Sequence, residues 1–244
     1  PVRDPGRRTA LAFRWLAQAT GTRLPAPVPG TAPAEARELT AVDSLPLLRI
    51  LPPALNYSNN MVSELVGLAA ARKLGGRPET LAQSSRRLID WLAAGVPALD
   101  PNGLDLPNHS GLAAAARVTP RQMLTVVRHG LLMRYGADGV LPVLPAGGWR
   151  DALAGRFRDP DIAGRVWAKS GTLHYASGLV GVFFGQASGR RTIFALYVMD
   201  DAARDGYDAD PNRETPAVQA AAEIWIDRAK AFEENLLGVW NAAY

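Results

Sequence analysis

The segment Val166-Trp167-Ala168-Lys169-Ser170-Gly171-Thr172 decides the fold class, because it opens a run of three segments rich in β-branched and aromatic residues. The second and third segments are Gly178–Gln186 and Arg191–Met199, and Ser188-Gly189 between them is typical of a tight turn. Strands that follow one another through short turns pair antiparallel. The sequence therefore predicts an antiparallel sheet confined to the last third of the chain.

Most of the remaining chain has apolar residues at helical spacing, with residues that typically begin or end helices. The predicted helices are residues 6–20, residues 61–74 before Gly75-Gly76, a segment opened by Pro78, a segment from Thr119-Pro120 to Gly136, and a last segment opened by Thr215-Pro216. Pro25 to Pro33 is interpreted as an extended connector, and Asp200-Asp201 with the run from Asp205 to Asp210 as a solvated acidic loop. Because helices and strands are segregated along the chain, the predicted fold class is α+β, an antiparallel sheet flanked by helices.

The composition limits the kinds of site that the protein can have. With 244 residues, 48% of them hydrophobic and 20% charged, it is typical of a folded protein of one large or two small domains. No apolar run approaches the roughly 20 residues that span a bilayer, so no transmembrane segment is predicted. The absence of cysteine excludes disulfides, thiolate metal sites and a cysteine nucleophile. The net charge is +4, but the basic residues are dispersed without interleaved aromatics, so no nucleic-acid partner is expected.

Ser58-Asn59-Asn60 is the first candidate site and lies just before a predicted amphipathic helix. In a functional interpretation Ser58 relays a proton to a leaving amine and Asn60 presents an amide to the substrate. The alternative is that Ser58 is simply the N-cap of the helix.

Lys169-Ser170-Gly171-Thr172 is the second candidate site and lies within a predicted strand. Glycine weakens a strand, and one reason to accept it is the close approach of a ligand along the strand edge. Lys169 would then neutralise a substrate carboxylate, Ser170 would hydrogen-bond it, and the N–H of Thr172 would help to stabilise an oxyanion. The alternative is a surface hairpin with an incidental Lys-Ser-Gly sequence.

A third candidate, Asn108-His109-Ser110-Gly111-Leu112, is predicted to be a loop. His109, His129 and His174 are interpreted as solvated or capping residues, since no carboxylates cluster with them; no metal and no cofactor are expected. None of the serines has a lysine three positions later, so a nucleophile of the Ser-x-x-Lys type is not in this sequence.

Together these segments resemble the C-terminal half of the class C low-molecular-mass penicillin-binding proteins, the D-alanyl-D-alanine carboxypeptidase/endopeptidase family. The similarity extends over nearly the whole chain and follows the order of the family. Its segments are Val2 to Pro5, Ser58 to Asn60, Val118 to Gln122, Leu141 to Val143, Leu153 to Phe157 and Ala168 to Leu173.

The resemblance implies a serine β-lactamase/DD-peptidase-like fold with a five-stranded sheet, of which this chain supplies three strands. Residues 1–244 are then the C-terminal part of a single peptidase domain, and the nucleophile-bearing segment and inserted domains lie upstream. The implied activity is that of a serine-type D-Ala-D-Ala carboxypeptidase or endopeptidase acting on peptidoglycan stem peptides through an acyl-enzyme. The implied partners are β-lactams as covalent inhibitors and the upstream half of the same protein, and the implied location is the periplasm or cell wall.

Residue roles follow from the same resemblance. The residues expected to be catalytic are Ser58, Asn60, Lys169 and Thr172, and those expected to bind substrate are Ser170, Gly171, Ser110 and His174. The family usually has Asp-Gly-Ser-Gly-Leu-Ser-Arg-x-Asn where this chain has the loop that begins at Asn108. The arginine of that pattern falls on Ala114, so a polar contact beside the substrate cleft is expected to be lost. This change leaves open a non-catalytic cell-wall-binding or scaffolding homologue; an esterase or β-lactamase would need a deacylating base, which the sequence does not identify.

Overall fold

The computed structural model describes residues 3–31, 33–76, 80–134, 139–149 and 151–244, in two compact units, Pro1–Ser44 and Leu45–Tyr244. The first unit contains helix α1 (Pro5–Ala19), whose N-cap Asp4 accepts the N–H of Arg7 at 2.9 Å. This confirms the helix predicted for residues 6–20.

The second unit contains the other helices and the sheet. Its α-helices are α2 (Leu47–Asn56), α3 (Asn60–Lys73), α4 (Leu81–Gly95), α5 (Pro120–Leu132), α6 (Asp201–Ala209) and α7 (Pro216–Ala243), with short 3-10 helices at Leu141–Val143 and Asp151–Leu153. Thr80 and Thr119 begin α4 and α5 with capping boxes completed by Gln83 and Gln122. Four of the predicted helices therefore have counterparts here, although Pro78 and Gly136 lie outside the described residues.

Three strands form one antiparallel sheet in the order β1 (Val166–Leu173), β2 (Ala176–Phe184) and β3 (Arg191–Met199). The predicted sheet is confirmed, with β2 beginning two residues earlier than expected. In the register, Lys169 lies opposite Val180, and Val180 lies opposite Ala195. His174 and Tyr175 connect β1 to β2, and Tyr175 has a φ of 58°.

The hydrophobic core lies between one face of the sheet and helix α7. Leu179, Phe183 and Phe194 are buried on that face, and Leu237 with Trp240 of α7 packs against them. Side chains alternate between the two faces of a strand, so Lys169, three residues from Val166 in this core, projects from the opposite face. The packing of α7 thus fixes the sheet without occupying the face that carries Lys169.

The acidic loop predicted after β3 is wrong, because these residues form helix α6. Asp200 is its N-cap and accepts the N–H of Ala203 at 2.9 Å. Asp201 lies in the first turn, where a negative charge interacts favourably with the helix dipole. Tyr207 is buried, so α6 has an apolar anchor that the density of acidic residues concealed.

Candidate active site

The edge of β1 is covered along its first half and open along its second. The N–H of Ala168 donates to the carbonyl of Pro145 at 3.0 Å, and the N–H of Gly147 donates to the carbonyl of Val166 at 2.8 Å. Because hydrogen-bonding directions alternate along a strand, Ser170 and Thr172 direct their backbone groups to the same edge. Within the part of the chain that the structure describes, no backbone group pairs with this second half of the edge.

The two candidate motifs meet at this open edge. The Lys169 ammonium donates to the Ser58 hydroxyl, with Nζ and Oγ 3.1 Å apart, although the two residues are 111 positions apart in the sequence. Lys169 also contacts the carbonyl of Ser170. Beside it Gly171 is exposed, and a Cβ added there would meet nothing within 4 Å. The edge therefore has the open space that a bound chain would need.

Burial affects the charge of the Lys169 side chain. The side chain is half-buried, and this desolvation lowers the pKa of Lys169, because removing water disfavours the ammonium form. Burial likewise raises the pKa of Tyr197, whose ring lies over Gly178 on the sheet face that also carries Lys169. The site is thus a partly dehydrated environment, in which charge-assisted hydrogen bonds are stronger than in water.

Ser58 is not the N-cap of α3, so that alternative is wrong. The cap is Asn59, whose side-chain oxygen accepts the N–H of Val62 at 3.1 Å. Ser58 is exposed and has a φ of 50°, a left-handed conformation that is uncommon for residues other than glycine. Its hydroxyl is thereby directed to Lys169 rather than to the helix. Asn60, the first residue of α3, is exposed beside it.

The loop at 108–112 rests on α3. The carboxylate of Glu64 accepts the N–H of His109 at 3.0 Å and the N–H of Ser110 at 3.1 Å. Glu64 follows Asn60 by four residues, which places both on one face of the helix. The structure therefore brings Ser110 to the side of α3 that carries Asn60.

His109 is neither solvated nor a cap, contrary to the prediction. Its ring packs on Gly67 of α3, and its Nε2 lies 2.9 Å from Oγ of the buried Ser84 on α4. Burial lowers the pKa of His109, outweighing the opposite effect of the Glu64 charge. The His109 ring in this position joins the loop to two helices.

His174 lies at the end of β1, beyond Thr172. Its ring stacks on Tyr207 of α6 with centroids 4.2 Å apart, and its carbonyl accepts from Nη1 of Arg204 at 3.1 Å. The Tyr207 hydroxyl accepts from Nε2 of Gln219 at 2.9 Å. His174 is thus part of an aromatic cluster that holds the β1–β2 turn against α6.

Three residues of this region were not identified from the sequence: Glu64, Ser84 and Tyr207. Glu64 had a detectable signal, since it follows Asn60 at the i, i+4 spacing that places two side chains on one helix face. Ser84 and Tyr207 act through contacts distant in sequence, which no local pattern indicates. Among the residues described, no three histidine or acidic side chains are grouped as a metal site would require, and none of the helices is long and apolar enough to cross a membrane.

Comparison with known sequences decides the family. The sequence model of the D-Ala-D-Ala carboxypeptidase 3 (S13) family matches residues 7–224. The chain belongs to this family. A carboxypeptidase of Mycobacterium tuberculosis is 31% identical over 207 residues, which cover 81% of this chain and 43% of that protein. The carboxypeptidase DacB of Mycolicibacterium smegmatis is 27% identical over 201 residues, covering 80% of this chain and 42% of that protein.

Solved structures of other proteins have the same fold as this chain. Penicillin-binding protein 4 (DacB) of Haemophilus influenzae, in complex with a β-lactam, superposes with a TM-score of 0.75 at 19% identity, over 99% of this chain and 52% of that one. A penicillin G-acylated predatory endopeptidase of Bdellovibrio bacteriovorus gives a TM-score of 0.55 at 18% identity, over 99% of this chain and 61% of that one. The S13 chain described here thus has the fold of these proteins and spans less than half the length of the two carboxypeptidases.

Proposed function

We propose that the protein is a serine-type D-Ala-D-Ala carboxypeptidase or endopeptidase that acts on peptidoglycan stem peptides through an acyl-enzyme. The observation that carries this proposal is the 3.1 Å hydrogen bond between Lys169 Nζ and Ser58 Oγ. It joins two sequence motifs at an open strand edge, where an extended peptide can add alongside β1. The nucleophilic serine and its lysine base belong, in this proposal, to a segment upstream of Pro1.

Substrate binding uses the free half of the β1 edge. The terminal carboxylate of the stem peptide binds the Lys169 ammonium, and Ser170 hydrogen-bonds the same carboxylate. Gly171 leaves room for the peptide, since no atom lies within 4 Å of where its Cβ would stand. Asn60 donates its amide to the substrate from the first turn of α3. His174 and Ser110 also contact the substrate.

In the chemical step the upstream lysine takes the hydroxyl proton of the upstream serine, whose oxygen attacks the carbonyl carbon of the penultimate D-Ala. The Thr172 N–H, together with one further backbone N–H, stabilises the oxyanion that forms. The peptide C–N bond then breaks, and Ser58 passes a proton to the departing amine, having Lys169 as its hydrogen-bond partner. Water hydrolyses the resulting ester and releases the shortened peptide. β-Lactams would acylate the same serine, and action on peptidoglycan requires an exported, periplasmic or wall-associated protein.

The test is the intact mass of the longest natural form of the protein before and after incubation with benzylpenicillin. The expected result is one adduct per molecule, mapped by peptide mass spectrometry to a serine within an upstream Ser-x-x-Lys. Lys169→Ala should abolish or strongly slow the adduct, whereas the matched variant Lys73→Ala, at the exposed end of α3, should form it normally. Equal acylation of Lys169→Ala and wild type would contradict the assignment of Lys169.

A second candidate function is that of a non-catalytic cell-wall-binding homologue. The loop sequence Ala113 to Ala116, which replaces polar residues of the family pattern, is the observation that favours it. In that case the longest form would contain the fold and bind peptidoglycan, yet it would form no adduct with benzylpenicillin even when Ser-x-x-Lys is present.

A further inference from the structure

Glu64 of α3 is bound by two consecutive backbone groups of the 108–112 loop. Its Oε2 accepts from the N–H of His109 at 3.0 Å, and its Oε1 accepts from the N–H of Ser110 at 3.1 Å. Burial raises the pKa of Glu64, but its hydrogen bonds lower that pKa by a larger amount. The pKa of Glu64 therefore lies below its ordinary value. One carboxylate therefore holds two consecutive backbone donors of a single loop.

A second anchor holds the same loop from the other side. The His109 ring occupies the space above Gly67, where an added Cβ would lie 2.1 Å from the His109 Cγ. Its Nε2 lies 2.9 Å from Oγ of Ser84, which is fully buried on α4. The ring cannot shift towards α3 without a clash, so the loop has little freedom to slide along the helix.

The contacts of Glu64 and His109 that hold the loop are here called the clamp. The position of this clamp gives it a role beyond stability. Asn60 and Glu64 occupy one face of α3, and α3 begins two residues after Ser58. Any displacement of the loop would move Ser110 and the exposed Leu112 relative to Asn60. Hydrogen bonds to an ionised group are stronger than those between neutral groups, so Glu64 favours one conformation of the loop.

We propose that Glu64 is a positioning residue, which holds the 108–112 loop on the Asn60 face of α3 so that the loop forms a fixed side wall of the substrate cleft. The proposal rests on the proposed function, because it assigns the wall to a peptide bound along β1. The wall acts on the part of the peptide that lies beyond the reacting bond. Glu64 therefore affects the KM for peptides more than kcat.

The clamp itself is tested by amide hydrogen exchange, followed by NMR, in the longest natural form of the protein. In Glu64→Gln one acceptor oxygen is replaced by an NH2 group, so the amides of His109 and Ser110 should exchange at least about tenfold faster, equivalent to about 1.4 kcal/mol. Amides in the middle of α4 and α7 should be unchanged, as they should be everywhere in the surface control Glu223→Gln. Unaltered exchange at both loop amides would overturn the proposal.

The substrate role is tested by hydrolysis of a D-Ala-D-Ala stem peptide by the longest natural form. Glu64→Gln should raise KM about tenfold with kcat within about twofold, while Glu223→Gln matches wild type. Unchanged KM despite faster loop exchange would overturn the positioning role. Equal losses in kcat and in thermal stability would also overturn it, because they would indicate a general structural defect. If wild type forms no benzylpenicillin adduct and cleaves no peptide, the proposed function fails and the substrate role with it, whereas the exchange result still judges the clamp.

Discussion

Lys169 is the residue on which most of the site depends, and its environment makes its charge sensitive to pH. Burial lowers its pKa, so between the lowered value and the ordinary lysine value the unfolded chain binds more protons than the native protein. Stability therefore rises with pH across that window. We expect the free energy of unfolding of wild type, relative to Lys169→Met, to increase as the pH rises from the lowered pKa to the ordinary lysine value, as measured by urea denaturation at several pH values.

A direct titration checks the same shift. The sequence contains three lysines, Lys73, Lys169 and Lys230, so 13C-dimethylation gives few NMR signals to assign. The signal that disappears in Lys169→Arg should titrate below the ordinary lysine value. Titration at or above that value would mean that the Lys169 ammonium is not desolvated, and the predicted rise in stability with pH would then be absent.

Asn59 and Asn60 are adjacent, yet we expect their substitutions to have opposite consequences. Asn59 caps α3 through the N–H of Val62, so Asn59→Ala should lower the unfolding free energy by about 0.5–2 kcal/mol and leave penicillin acylation largely intact. Asn60→Ala should leave stability nearly unchanged and slow acylation by at least about tenfold. Denaturation and acylation kinetics of the two variants in the longest form provide the comparison. Acylation lost equally in both variants would refute the separation of roles.

Some features of the candidate site could be predicted from the sequence of individual segments, and others could not. The two motifs containing Ser58 and Lys169 were recognisable because they resemble motifs of a known family and occur in the order of that family. Their 3.1 Å contact was not, since it joins residues 111 positions apart. The same limit explains His109, which was expected to be a solvated or capping residue: its ring packs on Gly67, which belongs to another element.

At the scale of elements, the strands were predictable and helix α6 was not. Three runs of β-branched and aromatic residues predicted β1 to β3 closely, because sheet propensity and short turns are local properties. Helix α6 contains three aspartates between Asp201 and Ala209 with a single buried anchor, Tyr207. Its helical structure depends on the Asp200 cap and on packing against His174, and composition alone favoured a loop.

Substitutions of two glycines in the β1–β2 hairpin are expected to affect different properties, one the stability of the fold and the other the reaction with penicillin. A Cβ at Gly181 would lie 2.1 Å from the carbonyl oxygen of Trp167, so Gly181→Ala should push the strands apart and cost roughly 1–3 kcal/mol. A Cβ at Gly171 would meet nothing within 4 Å, so Gly171→Ala should be nearly neutral for folding. It should nonetheless impair penicillin acylation, because the methyl group occupies the open edge. Melting temperatures and acylation rates of both variants test this, and a greater loss of stability in Gly171→Ala would contradict it.

At the scale of the whole molecule, a buried ionic cluster connects the segment before β1 to helix α7. Arg156 binds the fully buried Glu233 through Nη2 at 2.9 Å and the partly exposed Glu234 through Nε at 2.6 Å. Arg156→Met would leave the Glu233 charge buried without its partner, which costs about 3–5 kcal/mol in comparable cases. We expect a correspondingly large loss in the unfolding free energy from denaturant titration.

The double variant Arg156→Met/Glu233→Leu is the matched control for that prediction. It removes both buried charges, so it should recover most of the lost stability. A double variant as unstable as the single one would show that this contact contributes to stability through the fit of its side chains rather than through charge pairing. The pairing could not be inferred from sequence, since Arg156 and Glu233 are 77 residues apart.

The left-handed backbone at Ser58 has a consequence for selection. A non-glycine residue in that region carries roughly 1–2 kcal/mol of conformational cost, which glycine avoids. Ser58→Gly should therefore raise the melting temperature while deleting the hydroxyl beside Lys169. A laboratory evolution experiment that rewards heat resistance alone would then enrich proteins that lack the proton relay proposed for Ser58. Selection for heat resistance and selection for activity would therefore favour different residues at position 58.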